Sequence, residues 1–465
     1  MKHLLCIAIL FLYTTTILAQ VFEVESIKVS GDDNNRINLV ILSEGYQSSE
    51  LPQFITDATN FSNDMFTQSP YLEYADYFNV YAIKVPSNES GADHPGTATD
   101  VVEPISPIET VDTYFDTSFD SYGFHRLLYT SSFATINNVM ADNFPNYDQI
   151  IILVNSNVYG GAGGFIATAS NGASANEIAI HELGHSLFNL KDEYYQDDIY
   201  AMEGINMTQE TNPSLVKWTN WMGTNSVGIY QHSDFSGNPK PWYRPHQNCK
   251  MRYLGAPFCS VCKEAMVEKI HDLISPIDNY VPNNSTVENP SSFPLDFQLE
   301  LIKPIPNTLE SVWTLNGSNF ANNVDDVTLL ETSLIEGENI LTAVIHDNSP
   351  FQRVDNHDNF HVSLVNWKIN YTTLGVKDIE SKMDNYSISM FPNPASTTVT
   401  FMYEGEANSK LNIELVSLDG RMVKALKISN LESCQLDISN LNTGIYITNF
   451  YSDKVLIANK KLVKH

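Results

Sequence analysis

The chain has few basic residues. Its 465 residues include 26 lysines and arginines against 55 aspartates and glutamates, which gives a formal net charge of −29 at pH 7. Such a surface repels the phosphates of nucleic acids and the headgroups of anionic membranes, and it favours solubility. We therefore expect no nucleic-acid partner.

The acidic excess contains no recognisable calcium loop. Acidic residues cluster at positions 192–198 and 355–358. Both clusters could hold calcium, but neither follows the EF-hand pattern. Calcium is therefore an unsupported option, and we expect most of these carboxylates to lie on a solvated surface.

Long apolar runs are missing after the first twenty residues. The single early run, residues 4–18, follows Lys2 and His3 and precedes the small residue Ala19. It is short for a membrane span and has the features of a secretory signal peptide. We expect residues 1–19 to be removed and the mature chain to contain no membrane span.

Cysteine is also scarce, with five residues, of which Cys6 lies in the predicted signal peptide. Cys249, Cys259 and Cys262 lie close together in the sequence, whereas Cys434 is remote. An exported protein can form disulfides, so a bridge from Cys249 to Cys259 or to Cys262 is plausible, although either would leave an odd thiol. A structural zinc site is the alternative, but the sequence offers no obvious fourth ligand.

The most informative motif is H-E-x-x-H, formed by His181, Glu182 and His185. On a helix, the two histidines are one turn apart on one face, so both imidazoles can reach a single zinc ion. Glu182 lies beside them, where it can take a proton from a metal-activated water. Ser174 and Glu177 form a capping box that predicts the start of this helix. The motif therefore predicts the catalytic core of a zinc peptidase.

The third zinc ligand must follow the end of this helix, because a catalytic zinc usually takes three protein ligands. Asn189 can adopt the left-handed conformation that ends a helix. A sharp turn there would bring Asp192 back toward the metal, and Asp192 is our predicted ligand. Glu193 and the remote His246 are the alternatives, and both acids could instead be solvated or lie behind the true ligands.

A second candidate segment runs from Cys249 to Tyr253 and contains Met251. Met251 and Tyr253 resemble the methionine turn of metzincins, in which a methionine forms an apolar floor beneath the zinc and a tyrosine often follows two residues later. The phenol of Tyr253 could donate a hydrogen bond to the oxyanion of a tetrahedral intermediate. Either residue could equally be ordinary packing. Helical spacing of apolar residues predicts a helix directly afterwards, with Val261, Ala265, Met266, Ile270 and Leu273 on its buried face.

Residues 35–275 resemble the IgA-peptidase family of zinc metallopeptidases, which is metzincin-like. The matching stretches are residues 37–46, the glycine-rich residues 159–164, the H-E-L-G-H…D-E-Y run, and C-K-M-R-Y with P-F-C. The resemblance implies an α/β (α+β) zincin fold and endopeptidase activity with one catalytic Zn²⁺ on His181, His185 and Asp192. Metzincins carry H-E-x-x-H-x-x-G-x-x-H or Asp, so the turn residue and the third ligand are here displaced by one position.

The catalytic domain is predicted to span residues 20–275. Its pattern gives buried strands at residues 37–42 and 149–155, a strand with alternating apolar residues at 78–85, and helices at residues 51–65 and 133–140, before the zinc helix. This order suits a twisted sheet with helices behind it. The glycine-rich run 159–164 would either let a substrate backbone approach closely or form a flexible turn.

Two all-β domains are predicted to follow. Residues 276–375 contain strand-like runs at 297–302, 311–315, 339–345 and 360–369, a pattern typical of a small immunoglobulin-like β-sandwich without its cysteine pair. Such a domain could brace the protease or bind a partner.

Residues 376–465 resemble the C-terminal sorting domain of the type IX secretion system. The resemblance rests on F-P-N-P at 391–394, L-D-G-R at 418–421, L-N-T-G-I-Y at 441–446 and the basic end. It implies a Bacteroidetes-type cell, export through the periplasm and the outer-membrane secretion machinery, and a secreted or cell-surface protein.

The sequence thus predicts a secreted zinc metalloendopeptidase in which Glu182 is the general base and Tyr253 a candidate oxyanion donor. Its partners would be a protein or peptide substrate and the secretion machinery. The alternatives are a non-catalytic adhesin on a protease-like scaffold and a zinc amidase acting on cell-wall peptides.

Overall fold

The computed structural model describes residues 20–172, 174–195, 200–288, 290–355, 357–372, 387–404, 410–429, 433–452 and 455–465. The predicted signal peptide and part of each acidic cluster lie outside these residues. The chain divides into two compact units, one of Met1–Val29, Asn38–Ser62 and Val80–Glu182, and one of Ser30–Ile37, Asn63–Asn79 and Leu183–His465.

A six-stranded sheet with helices organises the N-terminal region, in the strand order β1-β3-β2-β4-β6-β5. Strands β2, β4 and β6 are parallel, whereas β5 runs antiparallel to β6 at the edge. The strands are β1 (Val24–Lys28), β2 (Ile37–Glu44), β3 (Phe78–Ile83), β4 (Gln149–Val154), β5 (Gly161–Ala162) and β6 (Ala167–Ser170). The helices are α1 (Leu51–Met65), α2 (Phe133–Asn143) and α3 (Ala175–Ser186).

The predicted strands and helices of this region are confirmed, with one difference in pattern. Every residue of β2, β3 and β4 is buried, as expected for strands covered on both faces. The predicted alternation at residues 78–85 is therefore wrong, because the strand there has no solvent-facing side. The short strands β1, β5 and β6 gave no clear pattern in the sequence. The region is thus a mixed α/β structure.

A hairpin and one helix follow α3. The hairpin consists of β7 (Tyr230–Ser233) and β8 (Pro239–Arg244), and the helix is α4 (Ser260–Leu273). Val261, Met266 and Ile270 are buried on α4, which confirms the helix predicted from their spacing. Leu273, at the end of the helix, is 38% exposed, so its predicted place on the buried face is wrong.

Residues 277–371 form two sheets around a shared core, in the orders β10-β16-β15-β12-β13 and β14-β11-β9. Trp313 and Trp367 stack at its centre, with ring centroids 5.6 Å apart. Burial alternates along β11 and β12, as in strands with one face toward a core. The elements are β9 (Ile277–Val281), β10 (Thr286–Glu288), β11 (Leu295–Leu301), β12 (Leu309–Leu315), β13 (Ser318–Asn322), β14 (Asp326–Leu329), β15 (Gly337–Asp347), α5 (His357–Phe360) and β16 (Ser363–Tyr371).

The C-terminal region is also β-rich. Two sheets, β17-β18-β21 and β20-β19-β22-β23, enclose a core that includes Phe401 and Phe450. The strands are β17 (Ser387–Phe391), β18 (Thr398–Glu404), β19 (Lys410–Ser417), β20 (Met422–Ser429), β21 (Ser433–Asp437), β22 (Gly444–Ser452) and β23 (Val455–Lys464). Within the residues that the structure describes, no helix has the length and apolar character needed to cross a membrane.

A buried carboxylate ties α4 to the two-sheet region that follows it. Asp347, at the end of β15, is 2% exposed. Its oxygens lie 2.8 Å from Nε2 of His271 on α4 and accept hydrogen bonds from the hydroxyls of Tyr74 and Thr308 at 2.5 Å. Burial alone would raise the pKa of Asp347, but the bonds from His271, Thr308 and Tyr74 outweigh it and lower the pKa. The carboxylate is therefore charged and held by three partners.

Replacing Asp347 by alanine should destabilise the chain by about 3 kcal/mol, because the change leaves buried polar partners unsatisfied. Chemical denaturation at pH 7 measures the loss, with the exposed Asp326→Ala as the matched control, expected within about 0.5 kcal/mol of the parent.

The same substitution should matter less in acid. A carboxyl with a lowered native pKa stabilises the fold above its unfolded value, and this contribution is lost as the pH falls through the native pKa. The difference between parent and Asp347→Ala should therefore shrink at low pH. Equal stability of the two variants at pH 7 would contradict this role of Asp347.

Candidate metal centre

One helix carries the central motif. Helix α3 begins at Ala175, directly after Ser174 as predicted, and contains His181, Glu182 and His185. The left-handed turn predicted at Asn189 is confirmed by its φ of 55°. The backbone N–H of Asn189 donates to the carbonyl of His185, and that of Leu190 donates to the carbonyl of Gly184. These bonds end the helix and redirect the chain.

The turn fixes the ring of His185. Its Nδ1 lies 2.7 Å from the carbonyl oxygen of Leu190. A carbonyl only accepts, so Nδ1 carries the proton, which makes Nε2 the nitrogen that a metal would bind. This Nε2 lies 3.3 Å from Oδ1 of Asp192.

The donor set fits a zinc ion. Potential ligand atoms of His181, His185 and Asp192 all lie within 4.8 Å of one another. Two nitrogen or oxygen ligands of a tetrahedral zinc are about 3.3 Å apart, given bonds of about 2.0 Å. His181 is buried, whereas the side chains of His185 and Asp192 are 19% and 26% exposed. The structure thus brings together the three predicted metal ligands, with solvent access on one side.

The glycine-rich run has a packing role that neither predicted explanation anticipated. A Cβ built on Gly161 would lie 2.5 Å from Cγ2 of Ile178 and 3.6 Å from Cγ of Glu182. A Cβ on Gly160 would lie 2.6 Å from the ring of Phe119. Glycine is needed here because strand β5 packs directly against α3 beside Glu182.

Met251 packs against α3 at the motif itself. It is fully buried, and a Cβ built on Gly184 would lie 2.7 Å from its sulfur. The role of Met251 as an apolar floor beneath the histidines stays a prediction. Tyr253 is 49% exposed, and its ring contacts the guanidinium of Arg252 at 4.6 Å. Its phenol is open to solvent, and its role as an oxyanion donor stays a prediction.

Glu193, the first alternative ligand, belongs to a different cluster. It is completely buried, and its backbone N–H donates to the carbonyl of Met251 at 2.7 Å. Its Oε1 lies 3.2 Å from both Nδ2 of Asn206 and Sγ of Cys262. Burial raises the pKa of Glu193 well above its usual value, and the neighbouring Cys249 raises it further. Asp192 and Glu193, adjacent in sequence, thus serve two separate groups of side chains.

The other predicted contacts are not formed. His246 is half-buried, and its Nδ1 lies 2.8 Å from the carbonyl oxygen of Asn248, a local turn contact. Cys249, Cys259 and Cys262 are buried free thiols, so the disulfide considered from the sequence is absent among these residues.

Sequence reasoning missed His232. It lies on β7, is fully buried, and among the described residues neither ring nitrogen has a hydrogen-bond partner. Burial, assisted by Arg244 and Arg252, lowers the pKa of His232 to about 3, while Asp192 opposes the shift. A neutral imidazole therefore lies within electrostatic range of the third predicted ligand. No motif or spacing in the sequence pointed to it.

A further group combines His94, Glu103, Asp120 and His125. Nδ1 of His125 lies 2.8 Å from Glu103 and 3.1 Å from Asp120. These are ordinary lengths for charge-assisted hydrogen bonds and are shorter than the spacing of zinc ligands. We therefore assign no metal to this group.

Two family models match the chain. Residues 25–236 match the family described as IgA Peptidase M64, and residues 389–465 match the secretion system C-terminal sorting domain. The first match ends before the segment that contains Met251 and α4. The second places the protein on the type IX secretion route of a Bacteroidetes-type bacterium, as a secreted or cell-surface protein.

Likeness to solved structures is weak. The dimeric latent PorU of Porphyromonas gingivalis is 12% identical, with a TM-score of 0.16, over 40% of this chain and 19% of that one. A β-glucuronidase of Parabacteroides merdae is 10% identical, also with a TM-score of 0.16, over 42% and 26%. This chain thus spans under a third of either protein, and neither fold nor function is inferred from these likenesses. No curated protein matches the sequence.

The contact between Gly184 and Met251 can be tested by a double-mutant cycle. Gly184→Ala alone should destabilise the chain by about 1–3 kcal/mol, because the new methyl group overlaps the methionine sulfur. In a Met251→Ala background the same change should be neutral or stabilise by up to about 1 kcal/mol, since alanine favours a helix over glycine. Thermal or urea unfolding of the four proteins measures both steps. An equal effect in both backgrounds would rule out the contact.

Proposed function

We propose, since residues 25–236 belong to the IgA Peptidase M64 family, that this chain is a secreted zinc-dependent endopeptidase. The observation that carries the proposal is the group His181, His185 and Asp192, whose ligand atoms lie within 4.8 Å of one another on and just after one helix. Glu182 on the same helix supplies a carboxylate beside it.

Three side chains would hold the metal. His181 and His185 offer neutral imidazole nitrogens, and Asp192 offers a carboxylate oxygen. When bound, zinc would supply Lewis-acid polarisation of a peptide carbonyl and lower the pKa of water. Three protein ligands leave room for water and substrate, which suits a catalytic rather than a structural site.

The protein's own groups would move the proton and position the substrate. Glu182 would accept a proton from the attacking water and return it to the leaving amine. The bond between His185 and the carbonyl of Leu190 keeps this histidine in the ligand tautomer. Tyr253 would donate a hydrogen bond to the developing oxyanion.

An extended peptide is the substrate that this site suits best. Strand β5 packs beside Glu182, and Gly161 on it is bridged to Leu127. The backbone that a peptide could reach is therefore that of residues 163–165 directly after β5, which are exposed. A peptide can pair with a sheet edge through its main chain, which places its carbonyls in register with a neighbouring site. This favours a polypeptide over a small amide.

The domain boundaries are part of the proposal. We assign a zincin-type catalytic domain to residues 20–275, an immunoglobulin-like sandwich to residues 276–375 and the sorting domain to residues 376–465. The contacts of Asp347 with Tyr74 and His271 favour the brace over the binding module for the middle domain.

Glu182→Gln should abolish cleavage while zinc is retained, because the amide keeps the shape but cannot accept the proton. We expect at least about a hundredfold loss of the rate on a peptide library and on unfolded protein. Zinc content by mass spectrometry is the control, and a fully active variant would remove Glu182 from its role.

Asp192→Ala should lose the zinc of this site together with activity, whereas the exposed Asp326→Ala should change neither. Unchanged zinc content would move the third ligand elsewhere, with His232 the next residue to replace. For the parent, cleavage of cell-wall peptides but not of protein would favour the amidase. A binding activity that is insensitive to chelators, without cleavage, would favour the adhesin.

A further inference from the structure

A second group of metal-ligand side chains lies in the second compact unit. Glu193, Cys249, Cys259 and Cys262 are all buried, and one potential ligand atom from each lies within 4.8 Å of the others. The four residues come from three segments of the chain. Glu193 lies in the segment after α3, Cys249 in the turn before Met251, and Cys259 and Cys262 at the start of α4. The carboxylate supplies the fourth ligand that the sequence did not reveal.

The separations match a tetrahedral zinc site. With zinc–sulfur bonds of about 2.3 Å and zinc–oxygen bonds of about 2.0 Å, two sulfurs lie about 3.8 Å apart and a sulfur and an oxygen about 3.5 Å apart. The sulfurs of Cys249 and Cys262 are 3.7 Å apart. Oε1 of Glu193 lies 3.2 Å from the sulfur of Cys262 and 3.8 Å from that of Cys259.

A disulfide fits these atoms less well. Two bonded sulfurs are about 2.05 Å apart, so the 3.7 Å between Cys249 and Cys262 is far from a bridge. A bridge within the trio would also leave one buried thiol beside the buried carboxylate. Oε2 of Glu193 has no hydrogen-bond partner among the described residues, which is costly for a completely buried group.

Two of the four sulfur and oxygen ligands lie at the start of a helix. Cys259 caps the N-terminus of the 14-residue helix α4, and Cys262 lies in its first turn. The partial positive charge of a helix N-terminus stabilises thiolates there. The buried Arg244 lies near enough to Glu193 for an electrostatic interaction. Thiolate ligands select zinc over calcium or magnesium.

We propose that Glu193, Cys249, Cys259 and Cys262 form a structural zinc site, separate from the group His181, His185 and Asp192. All four protein ligands are buried, which closes the site to substrate. The ion would cross-link three segments, namely the one after α3, the turn that contains Cys249 and the start of α4. One of them carries Asp192, and another carries Met251, so the same ion would fix the ligand and the floor of the neighbouring site.

The wild-type full chain gives the first test, without any substitution. An organomercurial that caps thiolates should release one zinc per chain, detected with a metallochromic indicator, because it displaces only thiolate-bound zinc. The Asp192→Ala protein should release the same amount. This result separates the present proposal from the proposed function, since it would hold even if the chain were not a peptidase.

Variants locate the site. Cys262→Ser and the near-isosteric Glu193→Gln should each lose this mercurial-released zinc, whereas Cys434→Ser, which alters a cysteine on β21, should keep it. Cobalt substitution gives a second signature: the wild type should show a thiolate-to-cobalt charge-transfer band that is absent in Cys262→Ser and present in Cys434→Ser.

Three results would overturn the proposal. The first is a disulfide among the three cysteines, seen by mass spectrometry after alkylation without reductant. The second is three free thiols with no zinc released by the mercurial. The third is full release from Glu193→Gln together with an unchanged cobalt spectrum, which would exclude the carboxylate as the fourth ligand.

Discussion

The end of helix α3 is the constraint on which the candidate centre depends. A straight helix would carry the chain beyond His185 away from both histidines. The left-handed Asn189 stops it instead, with backbone bonds back to Gly184 and His185. The carbonyl of Leu190 is thereby aimed at the ring of His185, and Asp192 returns to its Nε2. One residue with positive φ thus sets the tautomer of one ligand and the position of another.

The same turn divides two neighbouring carboxylates between two environments. Asp192 stays partly exposed beside the histidines, whereas Glu193 is buried beside three cysteines. The two adjacent side chains lie in different surroundings, so one D-E pair can serve two groups of side chains. The bond from the N–H of Glu193 to the carbonyl of Met251 holds this segment on the turn that packs under Gly184. The segment with Asp192 and Glu193 is therefore joined by a backbone hydrogen bond to the turn that contains Met251.

The elements of the N-terminal region were predictable from sequence because their signals are local. Runs of apolar residues predicted β2 and β4, and helical spacing of apolar residues predicted α2 and α4. Asn189 predicted the turn after α3. The role of Glu193 could not be predicted, because it depends on bringing together cysteines 56 to 69 residues away, a contact that no periodicity encodes. His232 was missed for the same reason. The close packing at Gly160 and Gly161 could not be predicted, since only the folded chain shows what a Cβ would meet there.

Exposed and buried acidic residues are stabilised in different ways in this protein. The chain has 55 acidic residues, and water solvates the carboxylates of those that are exposed. Asp347 and Glu193 are buried, so their carboxyl groups need partners within the protein. Asp347 is compensated by His271 and two hydroxyls, whose bonds keep its pKa low. Glu193 has the amide of Asn206 and the neighbouring thiols as its polar contacts, and its Oε2 has no hydrogen-bond partner among the described residues. A divalent ion would give this carboxylate what His271 gives Asp347, a positive partner at bonding distance. The close approach of one carboxylate oxygen and three sulfurs, all within 4.8 Å of one another, is therefore the argument for a metal beside the cysteines.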